Sequence, residues 1–116
     1  MIEAERPEFR ERFQRLPWTQ QLGNLASTLA RISNLCDRPE YDGLIRDLLR
    51  EAAVLVEWSA PSVPREFHLE LAALQREALA WREVWPLEGG RRLLALRARH
   101  ASDLLLYRAG FIPPRG

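Results

Sequence analysis

The 116-residue sequence contains no lysine, one cysteine, two histidines and no long apolar run. A single cysteine excludes a disulfide within the chain, and so few histidines provide no cluster at the spacing of a metal site. The N-terminal stretch is charged and interrupted by Pro7, so it lacks the apolar core of a secretory signal. We therefore expect a cytoplasmic protein with no membrane association, no metal and no other cofactor.

Composition places the chain among ordinary globular proteins. Apolar residues make up 47% and charged residues 28% of the sequence, which is far from the composition of disordered chains. A chain of this length fits one hydrophobic core. We predict a single domain over residues 1–116, with an arm helix in 1–17, a helical bundle in 18–110 and a tail in 111–116.

Apolar residues recur at intervals of three and four in four long segments, which is the pattern of helices with one buried face. The segments are 18–36, 39–58, 63–85 and 91–110, separated by short stretches rich in proline, serine and glycine. A shorter segment, 7–16, places Phe9, Phe13 and Leu16 on one side of a helix that Pro17 ends. Such a short helix is marginal alone and should dock its phenylalanines on the main body or on a partner.

Short connections between long amphipathic helices imply antiparallel neighbours. The predicted fold is therefore all-α: an antiparallel four-helix up-down bundle with a short additional N-terminal helix. The spacing leaves open how the bundle closes, because a seam of this kind is satisfied equally well inside one copy or by a second copy. Phe111 and Ile112 of the tail are placed to fold back over the end of the bundle.

No group of residues in the sequence matches a catalytic motif. His68 lies beside an apolar stripe, and His100 is three residues before Asp103, a spacing that favours pairing between them along one helix. Cys36 falls on the seam of its helix, where a thiol usually fills core space. We expect no catalytic, cofactor-binding or metal-binding residue, and no enzymatic activity.

The distribution of charge gives the strongest indication of function. Residues 89–116 contain six arginines and one acid, whereas residues 37–88 contain eleven acids and six arginines. One interpretation is that the last helix pairs with acidic faces of its neighbours. The other is an exposed basic stripe that contacts a partner. Tryptophans at helix ends usually cap the core, and they are also enriched in interfaces, so they are candidates for the same contact. The candidate interaction surface comprises Arg91, Arg92, Arg99, Arg108, Trp58 and Trp85.

Two functions follow from this surface. The first is a non-enzymatic module that binds a protein partner or associates with itself, possible homodimerisation included. The alternative is a nucleic-acid-binding accessory protein that uses the arginine-rich C-terminal helix.

Three segments, RPEFR at 6–10, PWTQQLGNLA at 17–26 and EWSAP at 57–61, carry a resemblance to a known group. The chain resembles short, uncharacterised all-helical proteins of cyanobacteria. The resemblance implies a bacterial, cytoplasmic setting. It implies no activity and assigns no functional residue.

Overall fold

The computed structural model describes residues 7–112, and every regular element in this range is helical. The five α-helices are α1 (Pro7–Gln14), α2 (Trp18–Leu35), α3 (Asp42–Ser59), α4 (His68–Val84) and α5 (Arg91–Arg108). A single 3₁₀ turn precedes each of α3, α4 and α5. Helices α3 and α4 therefore begin slightly later than the segments predicted from apolar spacing, whereas α5 begins at Arg91 as predicted. The all-α bundle with a short N-terminal helix is confirmed.

Neighbouring long helices run antiparallel. Ser33 and Ser102 fix the pairing of α2 with α5: Ser33 donates to the carbonyl of Ala95 at 2.7 Å, and Ser102 donates to that of Ala26 at 2.8 Å. Helix α3 packs against α2 on one side and against α4 on the other. The helices are therefore arranged around the core in the order α5, α2, α3, α4.

The fourth side of the bundle, between α4 and α5, is open. These two helices are not among the pairs whose backbones pack closely, unlike α2 with α5, α2 with α3 and α3 with α4. Trp85 in the connection between them is only 2% exposed. The bundle is thus closed on three sides by helix packing.

Helix α1 covers the opposite side of the bundle. The Phe13 ring packs against that of Trp58 with 5.9 Å between centroids, and Gln14 donates to the Trp58 carbonyl at 3.2 Å. Gln21 fixes the turn after α1 by donating to the carbonyl of Leu16 at 3.0 Å. The predicted docking of this helix on the main body is confirmed.

The chain after α5 turns back over the bundle at Gly110, whose φ of 84° is in the region that glycine adopts without strain. This turn brings the Phe111 ring against α2, where a Cβ at Gly23 would lie 3.2 Å from the ring. The predicted return of Phe111 is confirmed. The first six residues of the predicted arm and the last four of the tail lie outside the described residues.

None of the helices within residues 7–112 has the length and apolar character needed to cross a membrane.

Candidate interaction face

Arg91, the first residue of the predicted basic stripe, is partly buried and paired within the protein. Its guanidinium donates to Asp42 at 2.7 Å, to Glu88 at 3.0 Å and to the Cys36 carbonyl at 3.0 Å, and it lies 5.2 Å from the centre of the Trp85 ring. Its side chain is 13% exposed. The pKa of the Asp42 carboxyl is lowered, chiefly by the hydrogen bond from Arg91. The prediction of Arg91 as a surface contact is wrong.

Two further arginines of α5 pair with carboxylates on α4. Arg108 donates to Glu70 at 2.7 Å, and Arg97 donates through Nε to Glu77 at 3.0 Å. The hydrogen bond from Arg97 lowers the pKa of the Glu77 carboxyl. Arg108, a predicted surface residue, is therefore engaged within the chain, and the interpretation that α5 pairs with acidic neighbours is confirmed for these residues.

Arg92 and Arg99 are the predicted arginines that remain exposed. Arg99 donates to the side-chain oxygen of Asn34 at 2.8 Å, a neutral partner that leaves its charge uncompensated. The basic surface on α5 is consequently smaller than the sequence predicts, because most of its charge is neutralised by acids of α3 and α4.

The two predicted surface tryptophans are buried. Trp58 is 8% exposed beneath Phe13, and Trp85 is 2% exposed, with its ring 6.4 Å from that of Trp81. Helix-end position made them candidates for contact with a partner, but both cap the core instead. Their assignment to an interaction surface is wrong, because α1 covers Trp58 and because Trp85 packs against Trp81 and the Arg91 guanidinium.

An apolar groove of about 260 Å³ lies between α4 and α5. Leucines of α2 and α3, Leu29 and Leu49, contribute to its lining together with Trp81. The Arg97–Glu77 and Arg108–Glu70 ion pairs connect its two walls. The groove is the opening on the fourth side of the bundle, where α4 and α5 do not pack closely.

The outward side of α5 carries a second apolar stripe. Its members recur at steps of 3, 4, 3 and 4 and are Leu93, Leu96, His100, Asp103 and Tyr107. Leu93 is 53% exposed, Leu96 60% and Tyr107 41%, while the opposite side of the helix is buried at Leu94 and Leu105. We call these five residues the outer stripe of α5.

Helix α4 adds exposed apolar residues on the same side of the groove: Leu69, Ala73, Ala80 and Val84. Leu69 is 86% and Val84 51% exposed. Ala73 of α4 and His100 of α5 both line the groove, so the two sets of residues form one continuous surface across it. Together with the outer stripe of α5 they define the α4–α5 face.

Sequence reasoning missed this face, although a signal was present. The spacing from Leu93 through Leu96 and His100 to Tyr107 is as regular as that of the buried stripe of the same helix. If only the buried stripe is considered, Leu93 and Leu96 are assigned to the edge of the core.

His68 and Cys36 occupy ordinary structural environments, whereas His100 does not form its predicted pairing. Nε2 of His68 lies 2.9 Å from the Ala60 carbonyl, and burial raises the pKa of the Cys36 thiol to about 11. His100 and Asp103 do not pair as their spacing predicts, and neither side chain forms a hydrogen bond with another described residue. Among residues 7–112, no group of His, Cys, Asp and Glu is arranged to hold a metal ion.

Comparison of the chain with protein-family models, with curated proteins and with solved structures finds no match. The resemblance to cyanobacterial helical proteins therefore stays a prediction.

Proposed function

We propose that this protein is a non-enzymatic helical interaction module of the bacterial cytoplasm, and that its α4–α5 face is the surface that contacts protein. The observation that carries the proposal is the row of half- to fully exposed leucines on α4 and α5. Leu69, Leu93 and Leu96 are each more than half exposed on this face, with Leu69 toward one end of it and the two leucines of α5 toward the other. Contiguous exposed apolar surface of this kind marks protein contacts in soluble proteins.

The outer surfaces of the other helices support this assignment by contrast. No large apolar side chain of α2 or α3, both fully described, is exposed. Burial of apolar area contributes about 25 cal/mol per Å², so the α4–α5 face offers the strongest driving force for association on the described surface.

The groove alone supports a small-molecule site less well. Its volume of about 260 Å³ lies below the range of about 300–1,000 Å³ for ligand pockets. The groove is also open along its length and is lined mainly by alanine and leucine. These features are better suited to a depression that receives side chains of a protein partner than to a small-molecule pocket.

Nucleic-acid binding is the weaker proposal. Three arginines of α5, Arg91, Arg97 and Arg108, are engaged by carboxylates, which leaves Arg92 and Arg99 to carry the basic surface. Binding through phosphate contacts would fall steeply with salt. Contact through an apolar face would persist at high salt.

The test is affinity purification from the native organism at low and high salt, with and without nuclease, using the double variant Leu93→Glu/Leu96→Glu. Leu79→Glu is the matched control, because Leu79 is 45% exposed on the opposite flank of α4. We expect a salt- and nuclease-resistant protein, either a second copy or a different chain, that the double variant loses and the control retains. Loss of all partners on nuclease treatment would favour nucleic-acid binding instead.

A further inference from the structure

Two polar residues, His100 and Asp103, sit in the middle of the otherwise apolar outer stripe of α5. Leu93 and Leu96 precede them, and Tyr107 follows. An imidazole and a carboxylate are complementary hydrogen-bonding groups, yet these two make no side-chain hydrogen bond with described residues. Covering the stripe with an apolar partner surface would bury both groups unpaired, at a cost of about 1–3 kcal/mol each.

We propose that the occupant of the α4–α5 face is a second copy of this chain, with the two α5 helices packed antiparallel about a twofold axis. The axis passes at the level between Ala101 and Ser102. His100 of each copy then faces Asp103 of the other. This inference rests on the proposed function, since it names the partner of the same face.

The spacing of the stripe sets this register. In an antiparallel helix pair, positions that alternate at steps of three and four oppose one another in layers across the axis. An axis between residues 101 and 102 produces four layers: two in which Leu96 opposes Tyr107, and between them two in which His100 opposes Asp103. His100 and Asp103 are then paired, and the Tyr107 ring packs against Leu96 in the layers outside them.

Other antiparallel registers leave the polar residues opposite apolar ones. Shifting the axis toward the N-terminus of α5 by one layer sets His100 against Leu96 and Asp103 against Leu93. Both polar groups then lose their complement and are desolvated, which disfavours that arrangement. The hydrogen-bonding complementarity therefore selects one register among those that the leucines alone permit.

Helix α4 is compatible with the same axis. The ion pairs Arg97–Glu77 and Arg108–Glu70 set the level of α4 relative to α5, and they place the axis between Ala73 and Ala80. Leu69 and Ala73 then lie on one side of the axis and Ala80 and Val84 on the other. Ala73 lies nearest the axis and permits close approach, and Leu69 and Ala80 lie at similar distances on its two sides.

The size of the face is adequate for a dimer. Two helices side by side, each about 10 Å wide and about 26 Å long, present roughly 500 Å² in projection. The accessible surface of such a ridged face exceeds its projection and is of the order of the about 800 Å² that each partner contributes to a standard interface. The twofold arrangement also closes on itself, so that it yields a dimer and not a filament.

Disulfide trapping of mixed single-cysteine variants tests the register. Leu96→Cys protein is mixed under reducing conditions with Tyr107→Cys protein and then oxidised. The proposal predicts a cross-linked dimer in the mixture, because these positions oppose one another. Neither variant should cross-link when it is oxidised separately. The introduced cysteines of its two copies would lie about 16 Å apart along the helix axis, which exceeds the limit of about 7 Å between the Cα atoms of a disulfide.

A mixture of Gln20→Cys with Arg31→Cys is the matched control, since both residues are exposed on α2 at the same separation of eleven positions. Native Cys36 is buried and is retained throughout. Circular dichroism confirms that each variant is folded. Equal trapping of the α2 mixture, or trapping of Leu96→Cys alone, would overturn the register.

The outcome also separates this inference from the proposed function. Absence of cross-linking in the mixture of folded variants, with the wild-type protein monomeric in sedimentation, overturns the dimer. If a different protein is nevertheless lost from Leu93→Glu/Leu96→Glu and kept by Leu79→Glu, the proposed function stands with another occupant. If no protein depends on these leucines, both proposals fall.

Discussion

The two halves of this bundle differ in whether their outer apolar residues are covered. On the α2–α3 side, α1 lies over the helices and covers Trp58 with Phe13, and no large apolar side chain of α2 or α3 is exposed. On the α4–α5 side no segment of the described chain covers the groove, and leucines point outward. One side is completed within the copy, and the other presents the kind of surface that a second protein would complete.

The difference originates in the patterning of the helices. The apolar residues of α2 and α3 face neighbouring helices of the same copy, and α1 covers Trp58 on the outer side of α3. Helix α5 carries a buried stripe through Leu94 and Leu105 and an exposed one through Leu93 and Leu96. Apolar residues on two sides of a helix are favoured where it packs against two neighbours, and only one such neighbour is present within the copy.

The largest expected effect is on stability, when Phe13 of the covering helix α1 is removed. Phe13→Ala should lower the free energy of unfolding by about 3 kcal/mol, because it removes a buried ring and opens a cavity above Trp58. Leu96→Ala, on the uncovered side, should change it by less than about 0.5 kcal/mol in the isolated copy. Urea denaturation at a protein concentration low enough to dissociate copies measures both. Equal losses would contradict the distinction between a covered and an uncovered side.

An exchange of two side chains gives the next largest effect. His100→Asp would place carboxylates opposite Asp103 of the partner and should weaken the dimer by about 2 kcal/mol, or roughly 30-fold in Kd. The double variant His100→Asp/Asp103→His restores complementary pairs and should recover most of the affinity. Sedimentation equilibrium measures the dissociation constants. Additive weakening in the double variant would show that the two residues do not face each other.

Removal of the Arg91 guanidinium should affect the fold and not the α4–α5 face. The pKa of Asp42 is lowered by Arg91, so this pairing contributes stability above the ordinary carboxyl pKa of about 3.9, and the contribution is lost as pH falls through the lowered value. Arg91→Met should therefore lower the Tm at pH 7, and its difference from wild type should narrow below about pH 4. A difference that is constant with pH would argue against this origin.

The helices could be predicted from the sequence because each long segment repeats its apolar residues at helical spacing between clear breaks. The docking of α1 followed from Phe9 and Phe13 on one side of a segment too short to stand alone. The order of packing and the open side could not be predicted, since the spacing of Leu74 or Leu94 does not state which neighbour each contacts.

The interaction surface could be predicted only in part. Arg91 and Arg92 are adjacent in sequence, yet one is clamped by Asp42 and the other is exposed, and this depends on contacts between residues about fifty positions apart. The burial of Trp58 likewise depends on where α1 lies. Charge counts along the chain capture the excess of arginine but not its neutralisation across the bundle.

The most direct test of the central claim is sedimentation equilibrium of three proteins: wild type, Leu96→Glu and Leu79→Glu. Both leucines are exposed, at 60% and 45%, and only Leu96 belongs to the α4–α5 face. We predict that wild type and Leu79→Glu sediment at twice the chain mass of 13.5 kDa, and that Leu96→Glu sediments as a monomer. A wild-type protein that stays monomeric at every concentration, or equal dissociation of the two variants, would contradict the account.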